Sequence, residues 1–405
     1  MPVKPYLFIL FFCFGFILSP AQNEDKIILG RIDNISSKIL NEERKIWIYL
    51  PAGALQGKPN QERYPVLYLL DGDTHFYSVA GMIHQLSTAN GNTVCPEMIV
   101  VGIPNTVRNR DLTPSRDSIW NKNSGGGEKF ISFISEELIA YIDSVYPTEP
   151  YRMFVGHSLG GLLVMHTLVH HTALFNAYVV IDPSMWWHQR KLLMESREAM
   201  MTNTYPGTTL FLGIANTMRP GRDTAWVKSD TASSTNHIRS ILELNKYLGL
   251  NTSNQFKYRS KYYPEDNHGS VPLITTYDAL HFIFDFYPLR LSPEDFADTT
   301  TTMASKIEAH YNKLKLRLGY RAKPRESTLD FYGQDALRKK NFSKAVAFFK
   351  LNAQYFPNSY KVYDSLGDYF IAINQQEKAI DQYRKALSIL QHPDTRAKLE
   401  KITKK

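Results

Sequence analysis

Ser158 stands at the centre of Gly156-His157-Ser158-Leu159-Gly160, a serine with a glycine two residues away on either side. A serine hydroxyl is a poor nucleophile near neutral pH. Chemistry here therefore needs a base within hydrogen-bond reach, a carboxylate to orient that base, and donors for a developing oxyanion. Of the twelve histidines, His268 fits the base: it lies in the polar stretch Tyr263-Pro264-Glu265-Asp266-Asn267-His268-Gly269-Ser270, directly after an expected strand over 256–262. The acid belongs after an expected strand over 208–214, where Asp223 and Asp230 both fall. Asp223 is preferred, because Asp230-Thr231-Ala232-Ser233 reads as the capped entrance to a helix. Asp182, after an expected strand over 177–181, is the third choice. The oxyanion donors are expected to be the backbone N–H of Leu159 and one from Gly72 or Asp73. His157 is read as a packing residue that points away from the serine's side, and His188 and His237 as residues able to line the pocket.

These residues need a scaffold that brings distant loops to one edge. Residues 153–155 suit a buried strand and 159–170 a helix, so the pentapeptide must reverse the chain within a few residues. Glycine at 156 and 160 leaves room for a strained serine whose Oγ stands above a sheet. Val66-Leu67-Tyr68-Leu69-Leu70 is continuously apolar, as are 98–103 and 177–181, which is the pattern of strands buried on both faces. Residues 43–50 alternate instead, as a strand near a sheet edge does. Helical stretches over 128–146, 159–170 and 238–248 separate the strands, so a mostly parallel sheet covered on both sides is expected.

The chain has 405 residues, 43% hydrophobic and 21% charged, enough for a large core domain and a smaller one. Its net charge of +8 is spread along the chain and thickens towards the C-terminus, which argues against a nucleic-acid partner. Residues 1–21 carry one lysine, an apolar run and the exit Ser19-Pro20-Ala21, as a secretory signal peptide does. That run is too short to span a bilayer, so no stable membrane insertion is expected. Beyond the signal only Cys95 remains, excluding an internal disulfide and a cysteine-based metal site. No metal and no cofactor is required.

After about residue 287 the pattern is helical throughout. Gly333 with Gly367, Ala345 with Ala379, and Phe349 with Tyr383 repeat at a spacing of 34, the period of tetratricopeptide repeats. Two copies are fewer than the three usually needed for stability, so the helix expected over 300–318 or the larger domain should complete the stack. The repeats serve equally as a plain helical cap or as an array for a protein partner.

The separated motifs Pro65-Val66-Leu67-Tyr68-Leu69-Leu70-Asp71-Gly72, Arg110-Asp111-Leu112-Thr113-Pro114, Gly156 to Gly161, Asp182-Pro183-Ser184 and Asn267-His268-Gly269-Ser270-Val271-Pro272-Leu273 together resemble the esterase D or enterochelin-esterase-like branch of the α/β-hydrolases. The resemblance covers about residues 25–290. It implies an α/β-hydrolase fold and a secreted or periplasmic serine esterase, with Ser158 as nucleophile and His268 as base, acting on a small-molecule ester. Relatives of this kind open trilactone siderophores, remove acyl or aryl groups from carbohydrates, or hydrolyse S-formylglutathione. One departure is that Gly213-Ile214-Ala215-Asn216-Thr217-Met218 lacks the acid many relatives carry there.

Residues 105–114 and 124–127 are expected to shape the pocket, with Arg108 and Arg110 contacting an anionic or catecholate substrate. An Arg110–Asp111 pair that merely holds the loop is the competing reading. Trp186 and Trp187 are read as an aromatic wall or as core. The expected division is a signal peptide 1–21, an esterase domain 22–290, a helical linker 291–326 and repeats 327–405. The rival functions are a binding scaffold built on the repeats, and a peptidase or acyltransferase of the same fold.

Overall fold

The structure is a computed structural model that describes residues 27–55, 62–251 and 256–404. The signal peptide expected over 1–21 lies outside them. Among the described residues no helix is long and apolar enough to cross a membrane.

Among the described residues eight strands form one sheet: β1 (Arg31–Ser37), β2 (Glu42–Tyr49), β3 (Tyr64–Leu70), β4 (Ile99–Ile103), β5 (Thr148–His157), β6 (Ala177–Ile181), β7 (Thr209–Ala215) and β8 (Lys257–Tyr263). Their order across the sheet is β1-β2-β4-β3-β5-β6-β7-β8. Only β1 and β2 run antiparallel to their neighbours, and from β4 to β8 every pairing is parallel. This is the α/β-hydrolase arrangement. Every residue of β3, β4, β6 and β7 is buried, because parallel strands with helices on both faces have no side open to water. The outer β1 alternates exposed and buried along most of its length.

The principal helices are α1 (Gly72–Ser87), α2 (residues 127–145), α3 (Leu159–His170), α4 (Trp187–Thr202), α5 (Asn236–Leu248) and α6 (Val271–Ile283). A π-helical stretch, Phe133–Leu138, interrupts α2. One core on one face of the sheet gathers Phe130, Phe133, Leu162, Met165 and Leu193 around Tyr68, Phe154 and Tyr178. The other gathers Phe76, Val79, Ile83, Leu280 and Phe284 around Leu67, Met153 and Val179. Alternation along each strand, which sends successive side chains to opposite faces, accounts for the division. Cys95 is buried, which pushes its thiol pKa up to about 12 and makes it a packing residue.

The remainder is all helical: α7 (Thr302–Leu318), α8 (Glu326–Arg338), α9 (Phe342–Tyr355), α10 (Tyr360–Ala372), α11 (Gln376–Ile389) and α12 (Pro393–Thr403). The glycines spaced by 34 sit where an aromatic ring leaves no room. A Cβ on Gly333 would lie 2.4 Å from the ring of Phe349, and one on Gly367 would lie 2.3 Å from that of Tyr383. Helix α7 joins the two halves: Leu314 and Leu318 pack with Phe284, while Met303, Ala304 and Ile307 pack with Leu329, Phe348 and Leu351.

Candidate active site

Strand β5 and helix α3 meet at Ser158, whose backbone is held at φ 58°, ψ −116°. A non-glycine residue at positive φ is strained, and such strain persists only where the surroundings over-determine it. Here Ser158 N–H donates to Ile181 O (3.0 Å), and Ser158 O accepts from Leu162 N–H (2.9 Å) and Ser184 N–H (3.0 Å). Strand and helix cross so tightly that a Cβ on Gly156 would lie 2.5 Å from Gly160 C and O. The glycine is required by this contact and not by its own φ.

The sheet register sets what stands beside the serine. His157 pairs with Ile181, so Ser158 and Asp182 are the residues that leave two neighbouring strands at the same level. Asp182 is also at positive φ, 40°, and its carboxylate is fully buried. Oδ1 accepts Ala215 N–H at 3.0 Å. Oδ2 meets His268 Nδ1 at 2.6 Å and His237 Nε2 at 2.9 Å. Burial alone would raise the carboxyl pKa, but the hydrogen bonds from His237, His268 and the Ala215 amide outweigh it and hold Asp182 well below the usual range. It is therefore an anion that presents one oxygen to two imidazoles.

Asp223, preferred from the sequence, is elsewhere. It caps the short helix Thr224–Ser229 by accepting Trp226 N–H at 2.7 Å. Asp230 likewise makes local bonds, to Ala232 N–H and Thr235 Oγ1. Both are engaged locally in the loop after β7, and the carboxylate that reaches His268 comes from the end of β6, one strand nearer the serine.

His157 also departs from the expectation of a side chain turned away from the reacting side. Its ring centroid is 4.4 Å from that of His268 and 5.8 Å from that of His75. Burial, then His268 and His75, lower its pKa to about 4, so it is neutral at pH 7 and adds no positive charge beside His268. The Ser158 hydroxyl contacts Ser184 Oγ at 3.3 Å.

The two arginines expected to hold substrate are engaged in the scaffold. Arg108 Nε and Nη2 grip Asp71 at 2.6 and 2.9 Å. Asn105 adds a third bond to the same carboxylate. A Cβ on Gly160 would lie 3.2 Å from Asp71 Oδ2, so this pair braces the serine turn. Arg110 spends Nε on Asp111 and both Nη atoms on Glu42, and Arg44 closes the network by donating to Asp111 and Glu42. Bidentate partners satisfy the guanidiniums, and the loop-holding reading of Arg110 accounts for its contacts.

Gly72 and Asp73 begin α1 and Leu159 begins α3, so their N–H groups belong to first turns, which have no intrahelical acceptor. Beside the 108–111 turn an open cleft of about 520 Å³ is lined by Val107, Arg110, Arg116, Lys122 and Ser124. A void behind the serine turn, between His75, Val79 and His157, is about 10 Å³ and holds no more than one water. Trp187 is core, donating Nε1–H to Ser115 O, whereas Trp186 packs edge-on with exposed Trp120 at 5.1 Å.

Fold and site together define a carboxylic ester hydrolase. Residues 37–257 match the family described as putative esterase, and the chain belongs to it. It is 26% identical over 234 residues to the siderophore enterobactin esterase of Emericella nidulans, spanning 51% of this chain and 77% of that protein. It is 29% identical over 174 residues to the ferri-bacillibactin esterase BesA of Bacillus subtilis, spanning 38% of this chain and 59% of the relative. The crystal structure of an IroE-like serine hydrolase from Shewanella oneidensis superposes with a TM-score of 0.64 at 29% identity, over 80% of this chain and 99% of that one.

Proposed function

We propose that the protein is an exported serine esterase that opens the ester bonds of an anionic, siderophore-type lactone through an acyl-enzyme on Ser158. The observation that carries this reading is the buried Asp182 carboxylate on His268 Nδ1, one strand from a serine in strained backbone geometry. Rotation of Ser158 away from Ser184 frees its hydroxyl for attack on the ester carbonyl. His268 Nε2 takes the proton, while Nδ1–H stays on Asp182, which stabilises the imidazolium. The carbonyl oxygen becomes an oxyanion opposite the N–H groups of Leu159 and of Gly72 or Asp73. As the intermediate collapses, the bond to the alcohol breaks and His268 returns the proton to the leaving oxygen. Water, deprotonated by the same imidazole, then releases the acid and restores Ser158. His237 grips Asp182 from a second side and keeps the carboxylate from swinging off His268.

The substrate class is supported by the siderophore esterases among the relatives and by exposed Arg116 and Lys122 on the open cleft, which favour an anionic ligand. The decisive experiment compares turnover of p-nitrophenyl acetate, an aryl-acid sugar ester and a catechol trilactone by the wild type and Ser158→Ala. The wild type is expected to favour the trilactone. The variant should remain folded, lose at least a thousandfold in rate and fail to react with a fluorophosphonate. Preference for the sugar ester would replace the substrate class, and labelling that persists in Ser158→Ala would remove the nucleophile. Export is tested separately by N-terminal sequencing of the mature protein, expected to begin near Gln22.

A further inference from the structure

The end of α3 remote from Ser158 carries a second concentration of imidazoles, His166, His170 and His171. Helix α3 has 12 residues, so at about 1.5 Å per residue His166 lies roughly 12 Å and His170 roughly 18 Å along the helix from the serine. The spacing of four puts His166 and His170 on one helix face, with ring centroids 4.4 Å apart. His171 caps the helix, its ring 6.2 Å from that of His166. Two carboxylates from other helices close over them. Glu128, in the first turn of α2, contacts Nε2 of His166 with one oxygen and Nε2 of His171 with the other, the latter at 2.9 Å. Glu195 of α4 contacts His170 Nε2 at 3.2 Å. The ligating atoms of Glu128, His166 and His171 lie within 4.8 Å of one another, as do those of His166, His170 and Glu195.

His166 belongs to both trios and is only 7% exposed. Its Nε2 is the nitrogen that faces Glu128, and that nitrogen would give its lone pair to an ion shared with the carboxylate.

We propose that His166, His170 and His171, with Glu128 and Glu195, form a binding site for a divalent transition-metal ion of zinc-like preference, tying α3 to α2 through Glu128 or to α4 through Glu195. Imidazole and carboxylate are the ligand set zinc accepts, and two histidines with one carboxylate leave a coordination position for water. Each side chain is already within about an ångström or two of the separations that metal bonds near 2.0–2.2 Å impose. The partly exposed rims of His170, His171 and Glu128 provide an entry path. Because both trios share His166, the ion is held by that ring together with either flanking pair.

The test uses the full chain, freed of metal with a chelator and titrated with zinc chloride by calorimetry and by thermal unfolding. Wild type is expected to bind one equivalent at this site with micromolar or tighter affinity and to gain several degrees in Tm. His166→Gln should weaken binding at least a hundredfold. If that buried change impairs folding, the exposed pair His170→Ala with Glu195→Gln and the pair His171→Ala with Glu128→Gln stand in for it, and at least one pair must abolish the Tm gain while esterase activity is retained. Asp182, His237 and His268 also lie within 4.8 Å of one another, so the titration is repeated in His268→Ala, where the binding and the Tm gain must persist. Absence of binding up to about 100 µM zinc, or binding lost only in His268→Ala, would overturn the proposal.

Discussion

At the scale of single residues, the site turns on which carboxylate meets His268. Asp182→Asn removes the charge that stabilises the imidazolium and imposes an amide on Nδ1, so a loss of a hundredfold or more in kcat/KM is expected. Asp223→Asn should be silent in both activity and Tm, since asparagine caps a helix as well as aspartate. Equal losses from the two would return the acid to the loop after β7. His157 has a separate consequence for stability. Its pKa, about 4 in the fold through burial and then the neighbouring His268 and His75, with Asp182 and Asp71 acting in the opposite direction, is near 6.5 when unfolded. Between those values the unfolded chain holds a proton that the native ring refuses. Stability therefore rises with pH through this window and falls as pH drops from 6.5 to 4, by something on the order of 2–3 kcal/mol. A Tm measured against pH should show this slope, and His157→Gln should flatten it.

At the scale of elements, the turn Arg108–Asp111 and the loop that follows it hold their arginines in two different settings. Arg108 and Arg110 brace the serine turn and the buried Asp111 through carboxylate pairs, whereas Arg116 and Lys122 stand exposed on the open cleft. Arg116→Ala with Lys122→Ala is expected to raise KM for an anionic trilactone severalfold, to reduce its dependence on salt, and to leave p-nitrophenyl acetate turnover unchanged. Arg110→Ala should act differently, lowering stability by about 2–4 kcal/mol because it strips a partner from Asp111 in the interior. A selective change in KM from Arg110→Ala, with Tm preserved, would reassign that arginine to substrate.

At the scale of the whole molecule, the question is whether the C-terminal helices serve the chemistry. Ser158, Asp182, His237 and His268 all precede α6, and α7 belongs to the larger core through Leu314 and Leu318. The helices from α8 onward meet the rest of the chain largely through Met303, Ala304 and Ile307 and through Lys344, whose ammonium donates to the carbonyls of Asp295, Phe296 and Asp298. A chain ending after Arg325 therefore keeps α7 and its contacts. With Ile307→Lys to cover the uncapped apolar face, it should fold and hydrolyse p-nitrophenyl acetate within about twofold of the full protein. A folded truncation without that activity would show that the helices complete the site.

By itself, the sequence determined those features that depend on neighbours along the chain. The apolar runs 66–70 and 177–181 match β3 and β6, the helix over 159–170 matches α3, and the glycines around Ser158 answer a contact between a strand and the helix next to it. The spacing of 34 residues likewise relates Gly333 to Gly367 and Phe349 to Tyr383, and the structure shows each glycine against the ring of its own repeat. Tertiary structure alone shows which aspartate meets His268. Three aspartates stand in loops after strands, and nothing along the chain distinguishes a carboxylate that caps the helix beginning at its next residue from one that reaches a histidine 86 positions on. Lateral strand register, His157 opposite Ile181, makes that choice, and it exists only once β5 and β6 are paired. The same holds for the histidines of α3: their spacing is visible in the sequence, but Glu128 and Glu195 come to them only when three helices pack on one face of the sheet.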